Sequence, residues 1–263
     1  HVDDDIHEIH IVGGHHPTWP FEYYVEMIRA IHEKNPKLQI KAFTASEIDY
    51  FQRRWKVTPE ESLAILKEAG LQSMPGGGAE VFSPRVHKIL LPGKANGDRW
   101  ADIHKIAHRM GIPTNCTLLY GHIETFEERV DHLIRLRNIQ DETGGFQAFI
   151  PLAFHPDNNQ MRKLPAPTAV DTLRVHAVAR LMLDNVPHIK AFWIATGVET
   201  AQTALWFGVD DLDGTVQEEQ IYHMAGARTP VALTTDDISR LIRGAGRDPV
   251  ERDTLYNVVS QPA

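Results

Sequence analysis

The sequence predicts an α/β fold in which parallel strands form part of a TIM-type (βα) barrel, followed by a C-terminal α/β extension. Two observations carry this prediction. Six short apolar runs alternate with longer segments of helical periodicity, a pattern typical of parallel sheets with right-handed crossovers. Clusters of glycine, histidine and proline follow most of the runs, as expected for a barrel whose active site lies at the carboxyl ends of its strands. A doubly wound open sheet is the rival architecture.

The six apolar runs are interpreted as strands that are covered on both faces. They lack a two-residue alternation of apolar and polar side chains, and continuous apolar runs are typical of buried parallel strands. The predicted strands are residues 8–13, 39–43, 71–74, 115–120, 146–152 and 189–196.

Five helix starts carry capping signals. Each has a serine or threonine at the N-cap position, followed by proline at the first helical position or by an acid three residues after the cap. The signals are Thr58 with Pro59 and Glu61, Ser83 with Pro84, Thr125 with Glu128, Thr168 with Asp171, and Thr234 with Asp237. The helices that begin at Thr168 and Thr234 are predicted to run to about residues 184 and 243.

Composition and charge exclude several classes of function. The 263 residues carry a formal net charge of −8, and the lysines and arginines are scattered. Nucleic acid binding is therefore not expected, since it needs a concentrated basic face. No apolar run approaches the roughly 18 residues of a membrane span. The single cysteine, Cys116, indicates a reducing compartment, so a cytoplasmic location is expected.

The barrel and the extension are predicted to meet near a proline-rich segment. Residues 1–164 are assigned to the partial barrel and residues 165–263 to the extension that packs on it. Pro165 and Pro167 flank Ala166 at this boundary. The segment is the best candidate for a hinge.

Three successive glycines, Gly76, Gly77 and Gly78, form the first candidate site with Glu80. Glycine lets backbone N–H groups approach a ligand closely, and the carboxylate could bind an amine or a ribose hydroxyl. The alternative is a flexible turn with Glu80 near a helix N-terminus, where acids are favoured. No Lys-Ser/Thr pair follows the glycines, so a phosphate-binding P-loop is excluded.

Histidines follow three of the predicted strands. His16 comes after Gly13 and Gly14, while His122 and His155 come after later strands. Each could serve as an acid, a base or a hydrogen-bond donor at the barrel rim. The alternatives are partly exposed turn residues. No metal site is expected, because none of the usual two-histidine or His-Cys spacings occurs. A metal-dependent hydrolase barrel remains an open alternative.

Longer segments resemble those of the radical S-adenosylmethionine (SAM) enzymes of menaquinone biosynthesis. The first motif is Ile11-Val12-Gly13-Gly14-x-His16-Pro17, and the second is Met74-Pro75-Gly76-Gly77-Gly78-Ala79-Glu80. Within that family, the chain is most similar to the aminofutalosine synthases, and a related cyclase that acts on dehypoxanthine futalosine is the alternative. Further matching segments are residues 20–24, 119–124, 136–146, 180–185, 210–219 and 251–257.

The resemblance implies an activity and a set of ligand contacts. Such enzymes cleave SAM to a 5′-deoxyadenosyl radical, which adds to the enol-ether double bond of 3-[(1-carboxyvinyl)oxy]benzoate. Rearrangement and loss of the carboxylate then give aminofutalosine. The cofactors implied are SAM and a [4Fe-4S] cluster, with a reductant as partner. Gly13, Gly14, Gly76, Gly77, Gly78 and Glu80 would then bind SAM. The substrate side would be lined by His16, Tyr120, His122 and His155, with Arg85 as a carboxylate partner.

The sequence departs from the family pattern at the cluster. The family carries a CxxxCxxC motif after the first barrel strand, and Cys116 alone cannot supply three thiolates. Because the chain starts with His1, we expect an N-terminally truncated synthase that lacks the first strand and is inactive by itself. A module that binds SAM or nucleosides without a cluster is a further alternative.

Overall fold

A computed structural model describes residues 6–217 and 219–260 of the chain. Two features of the sequence analysis lie outside the described residues. They are His1 and Glu218, the latter within the acidic segment 210–219.

The elements alternate as the sequence predicts, with parallel strands separated by helices. The strands are β1 (Glu8–Ile11), β2 (Gln39–Ala42), β3 (Thr114–Tyr120), β4 (Phe146–Ala153), β5 (His188–Ile189), β6 (Glu251–Arg252) and β7 (Val258–Ser260). The helices are α1 (Phe21–Lys34), α2 (Ala45–Trp55), α3 (Pro59–Ala69), α4 (Pro84–Leu90), α5 (Gly97–Arg109), α6 (Phe126–Thr143), α7 (Ala169–Met182), α8 (Trp193–Thr196), α9 (Val198–Ala204), α10 (Ile221–Met224) and α11 (Thr235–Gly244).

The strands are joined in chain order, which is the order of a barrel. β1 pairs with β2, and β3 pairs with β4, which pairs with β5, all in parallel. Parallel bridges from Lys41 to Ser73 and from Met74 to Thr114 connect these two groups of strands. A doubly wound sheet would reverse its strand order at a switch point. The predicted partial TIM-type barrel is therefore confirmed, and the doubly wound alternative is wrong.

The predicted strand 71–74 forms bridges instead of a ladder. Ser73 and Met74 each make one parallel bridge to a neighbouring strand. The Gln72 side chain explains part of this irregularity, because its Oε1 accepts a hydrogen bond from the backbone N of Ile40 at 2.7 Å. The Gln72 side-chain oxygen therefore takes the place of the backbone carbonyl that would accept from Ile40 N in a regular parallel ladder.

The predicted strand 189–196 is wrong beyond Lys190. β5 ends at Ile189, and residues 193–196 form the short helix α8. The Phe192 carbonyl accepts hydrogen bonds from the N–H groups of Ala195 and Thr196, at 3.0 and 3.1 Å, which turns the chain. A flat apolar run is compatible with a buried strand and with a buried helix, so its periodicity could not distinguish them.

All five predicted helix starts are confirmed. The N-cap hydroxyls of Thr58, Thr125, Thr168 and Thr234 complete capping boxes, and Ser83 accepts a hydrogen bond from Val86 N. Helix α7 ends at Met182, two residues before its predicted end. Helices α1, α2, α5, α8 and α9 were not predicted, although Thr44 with Glu47 forms a capping box of the same kind before α2.

The C-terminal part of the chain contributes to the barrel itself. β5 extends the sheet beyond β4, and Asp211 bridges to Lys190 in parallel. β6 and β7 form an antiparallel hairpin. Residues of the predicted extension thus complete the wall that β1 to β4 begin, while the division at residues 164 and 165 stays a prediction.

Within residues 6–217 and 219–260, no helix is long and apolar enough to cross a membrane.

Candidate active site at the carboxyl ends of the strands

An open cavity of about 3400 Å³ occupies the barrel interior and its rim. Two glycine loops line it, one after β1 and one after Met74. Of the predicted site residues, those that line the cavity are Gly13, Gly14, Gly76, Gly77, Gly78, Glu80 and His155.

The two loops use their glycines differently. A β-carbon on Gly14 would meet no atom within 4 Å, so its backbone is open to the cavity. A β-carbon on Gly76 would lie 2.6 Å from the Asn115 carbonyl oxygen and from Cys116 Cα. Gly14 therefore leaves room for a ligand, whereas Gly76 is required for the packing of its loop against β3.

Glu80 presents a free carboxylate to the cavity. Its φ of 52° lies in the left-handed region, which is uncommon for a non-glycine residue. Burial raises the pKa of Glu80, and the positive charge of Lys94 opposes that rise. Within the described part of the chain, the carboxylate makes no hydrogen bond, while the Glu80 carbonyl accepts one from Leu119 N at 3.0 Å. A ligand with hydroxyl or ammonium donors would satisfy this carboxylate.

Helix α2 holds the loop that follows β1. Glu47 Oε1 accepts a hydrogen bond from Gly13 N at 3.0 Å, and the Tyr50 hydroxyl donates to the His16 carbonyl at 3.0 Å. His15 Nε2 lies 3.1 Å from the Ser46 carbonyl oxygen, and its ring stacks on Tyr50. Successive turns of one helix therefore fix successive residues of the loop.

Two predicted substrate residues make local contacts outside the cavity lining. His16 Nδ1 accepts a hydrogen bond from Trp19 N at 3.2 Å, and its ring stacks on the Trp19 indole. Arg85 lies on the surface, where its Nη2 is 2.6 Å from Glu128 Oε2. Hydrogen bonding to Arg85 is the main reason why the pKa of Glu128 falls to about 2.

Two further predicted residues are buried behind the rim. The Tyr120 hydroxyl donates to Thr172 Oγ1 at 2.8 Å, and burial raises the pKa of Tyr120 to about 12. The His122 side chain is fully buried, with Nε2 3.0 Å from the Leu119 carbonyl oxygen and Nδ1 accepting from Ile123 N. Burial lowers the pKa of His122. His122 therefore stabilises the turn between β3 and α6, whereas Tyr120 connects β3 to α7.

The barrel interior also holds an ionic network that the sequence analysis missed. The Lys41 ammonium lies 3.0 Å from Glu8 Oε1. Lys190, whose side chain is 2% exposed, lies 2.6 Å from Asp213 Oδ1. Burial alone would raise the pKa of Glu8, but the charges of Lys41 and Lys190 outweigh it and lower the pKa to about 2. The two lysines therefore keep the carboxylate ionised.

The same network holds the C-terminal hairpin. Arg252 Nη2 lies 2.8 Å from Asp211 Oδ2, which also accepts a hydrogen bond from the Tyr256 hydroxyl at 2.9 Å. Although burial opposes ionisation, the Lys190 and Arg252 charges lower the pKa of Asp211. The charged residues of this network are far apart in the chain, so no motif in the sequence indicates that they meet. Only the fold brings them together.

Comparison with known proteins identifies the family. The family model described as the radical SAM superfamily matches residues 1–136. The chain belongs to the radical SAM superfamily. A second family model, described as the CofH/MqnC C-terminal region, matches residues 143–263.

Two curated relatives refine the position of this radical SAM protein. It is 54% identical to an aminodeoxyfutalosine synthase of Thermus thermophilus, over 96% of this chain and 69% of the relative. It is 42% identical to a cyclic dehypoxanthine futalosine synthase of Streptomyces coelicolor, over 95% of this chain and 62% of the relative. The chain thus lies among the radical SAM enzymes of the futalosine route.

A solved structure supports the fold of this radical SAM protein. The crystal structure of methylornithine synthase superposes with a TM-score of 0.67 at 15% identity, and the match covers 93% of this chain and 69% of that one. At 15% identity, this structural similarity supports the fold and not a shared function.

The residues of this radical SAM protein do not fit the family's iron–sulfur cluster. Cys116 is the chain's one cysteine. It is buried in β3 and its thiol donates to the Ala148 carbonyl oxygen at 3.6 Å. Burial raises the pKa of this thiol well above its ordinary value. Among the described residues, no three histidines, cysteines or acids form a group that could hold a metal ion. Cys116 is therefore a structural thiol.

Proposed function

We propose that this radical SAM protein supplies the barrel of an aminofutalosine synthase, which takes part in menaquinone biosynthesis. SAM is a substrate in that reaction, since its 5′-deoxyadenosyl group adds to the enol-ether double bond of 3-[(1-carboxyvinyl)oxy]benzoate and remains in the product. The observation that carries the proposal is the pair of glycine loops that share a cavity with the free Glu80 carboxylate.

The chain's own groups suit the binding of SAM. The backbone at Gly14 and at residues 76–78 can approach the polar methionine end, because these glycines carry no side chains that would shield it, while Gly13 N is held by Glu47 Oε1. The Glu80 carboxylate can accept hydrogen bonds from a ribose or from an ammonium group. Both elements line one cavity. The protein's contribution is thus binding and orientation of the nucleoside and the aryl substrate.

Calorimetric titration of this chain with SAM tests the binding part of the proposal. We expect saturable binding that weakens at least about tenfold in Gly14→Val, which fills the open loop, and in Glu80→Gln, which removes the charge. Gly144→Ala serves as a control, because Gly144 lies at the end of α6, outside the cavity lining. Absence of SAM binding by the parent chain would contradict the proposal.

Genetic complementation tests the reaction. Turnover requires a cluster that Cys116 cannot hold alone. A gene that encodes these residues together with a three-cysteine motif is expected to restore menaquinone to a strain that lacks aminofutalosine synthase. Restoration of a strain that lacks the dehypoxanthine futalosine cyclase instead would replace the synthase assignment with the cyclase.

A further inference from the structure

Three aromatic side chains meet inside the cavity. The ring centroids of His155 and Tyr222 are 5.2 Å apart with an interplanar angle of 87°, and those of Phe192 and Tyr222 are 5.5 Å apart with an angle of 74°. These are edge-to-face arrangements, which aromatic rings prefer. All three residues line the cavity. We call this group the aromatic wall.

The aromatic wall is held in place by its surroundings. His155 Nε2 lies 2.8 Å from the Ala195 carbonyl oxygen, which can only accept, so Nε2 carries the proton and Nδ1 is left as an acceptor. The segment around Tyr222 is tied to the barrel, because Asn158 Nδ2 donates to the Met224 carbonyl at 3.2 Å. A rigid wall needs little ordering when a ring docks against it.

The aromatic wall and the free carboxylate of Glu80 line the same cavity. Burial raises the pKa of the Tyr222 hydroxyl well above its ordinary value, and the negative charge of Glu80 adds to this rise. Within residues 6–217 and 219–260, that hydroxyl makes no hydrogen bond. A group bound at the glycine loops and a group bound at the wall would share one cavity, as two reacting substrates must.

We infer that the aromatic wall of His155, Phe192 and Tyr222 binds the aryl ring of the second substrate, a benzoate-type aryl ether. This inference rests on the proposed function and deepens it, since it names the residues that recognise the ring. Specificity for the aryl substrate would then depend in part on two residues of the C-terminal region, Phe192 and Tyr222. The Tyr222 hydroxyl can donate a hydrogen bond to a carboxylate or ether oxygen of this substrate.

Calorimetry with two separate probes tests the inference on this chain. The probes are 3-[(1-carboxyvinyl)oxy]benzoate and SAM. We expect Tyr222→Leu and Phe192→Leu each to weaken binding of the benzoate by about fivefold to tenfold, while SAM binding changes by less than about threefold. Tyr222→Phe, which keeps the ring, is expected to retain most of the benzoate affinity.

A matched control comes from the surface of α6. Phe126 is 57% exposed and does not line the cavity, so Phe126→Leu should alter neither affinity. Circular dichroism melting of each variant establishes that it is folded, and Phe192→Leu supports the test if Tyr222→Leu does not fold.

Each other outcome has a distinct meaning. Weaker SAM binding with unchanged benzoate binding would overturn the inference and assign the wall to the adenine ring. Unchanged binding of both probes in folded Tyr222→Leu and Phe192→Leu would overturn the inference alone. A parent chain that binds neither probe would overturn the proposed function, and the inference with it.

Discussion

Glu47 Oε1 accepts a hydrogen bond from the backbone N of Gly13 at 3.0 Å, across the gap between α2 and the loop after β1. The other oxygen of this carboxylate accepts from Thr44 N and Thr44 Oγ1, at 2.8 and 3.0 Å. One side chain therefore caps a helix and fixes a glycine loop of the cavity. Burial raises the pKa of Glu47, while these hydrogen bonds oppose the rise.

Glu47→Gln is predicted to weaken both the fold and the site. An amide has one acceptor and one donor group, so it cannot accept from Gly13 and Thr44 on both sides. The free energy of unfolding is expected to fall by about 1.5–3 kcal/mol, the range for hydrogen bonds to charged groups. Urea denaturation and SAM titration measure the two effects.

Glu61→Gln is the matched control for that prediction. Glu61 completes the same kind of capping box with Thr58, but it lies on the surface of α3, outside the cavity. Its substitution should leave SAM binding unchanged. Equal loss of SAM affinity in both variants would show that helix capping, not the contact with Gly13, governs the site.

Gly76→Ala is predicted to lower the stability of the protein, whereas Gly14→Ala is predicted to lower its affinity for SAM. The new methyl group at position 76 would lie 2.6 Å from backbone atoms of β3, so the loop must move, and we expect a loss of about 1–3 kcal/mol of stability. The methyl group at position 14 meets no atom within 4 Å, so stability should change by less than about 1 kcal/mol, but SAM affinity should fall. Thermal melting and calorimetry separate the two. A stable Gly76→Ala protein would contradict this account of the loop.

The ion pair of Glu8 and Lys41 is predicted to make stability depend on pH in the acid range. The folded-state pKa of Glu8, about 2, lies below its ordinary value of 4.5. The pair's contribution is therefore fully present above about pH 4.5 and is lost as the pH falls towards 2. Urea denaturation of the wild-type protein between pH 5 and pH 2 measures it, on the order of 3 kcal/mol for a shift of this size.

Variants of this pair distinguish charge pairing from packing. Glu8→Gln leaves the buried Lys41 without its counter-ion and is expected to cost about 3–5 kcal/mol at neutral pH. The double variant Glu8→Met with Lys41→Met should recover most of that loss, because no unpaired charge remains. A double variant as unstable as Glu8→Gln would contradict the electrostatic explanation.

Arg85→Ala is predicted to leave ligand binding intact. The guanidinium is paired with Glu128 and does not line the cavity. The affinity for 3-[(1-carboxyvinyl)oxy]benzoate should change by less than about twofold, while the pKa of Glu128 rises towards its ordinary value. Calorimetry and an NMR titration of the Glu128 carboxyl measure these effects. A tenfold loss of affinity would return Arg85 to the role that the resemblance implied.

The local features of this chain were predictable from neighbouring residues. Capping boxes such as Thr125 with Glu128 depend on residues three positions apart, so they are visible in the printed sequence. The glycines after β1 and after Met74 were recognisable for the same reason, and these residues do line one cavity. The alternation of strands and helices was sufficient to predict a parallel barrel.

Tertiary structure decided which polar side chains face the cavity. The sequence predicted His122 and Tyr120 at the rim, but the His122 ring lies against the Leu119 carbonyl oxygen, and Tyr120, the last residue of β3, donates to Thr172 in α7. The contacts of Tyr222 with His155 and of Arg252 with Asp211 could not be predicted from the sequence, because the two residues of each pair are separated by tens of positions. The direction of a side chain depends on the backbone dihedrals of its own turn, and long-range contacts depend on how the strands close around the interior. The sequence by itself therefore determined the alternation of strands and helices and the capped helix starts, whereas packing determined the composition of the site.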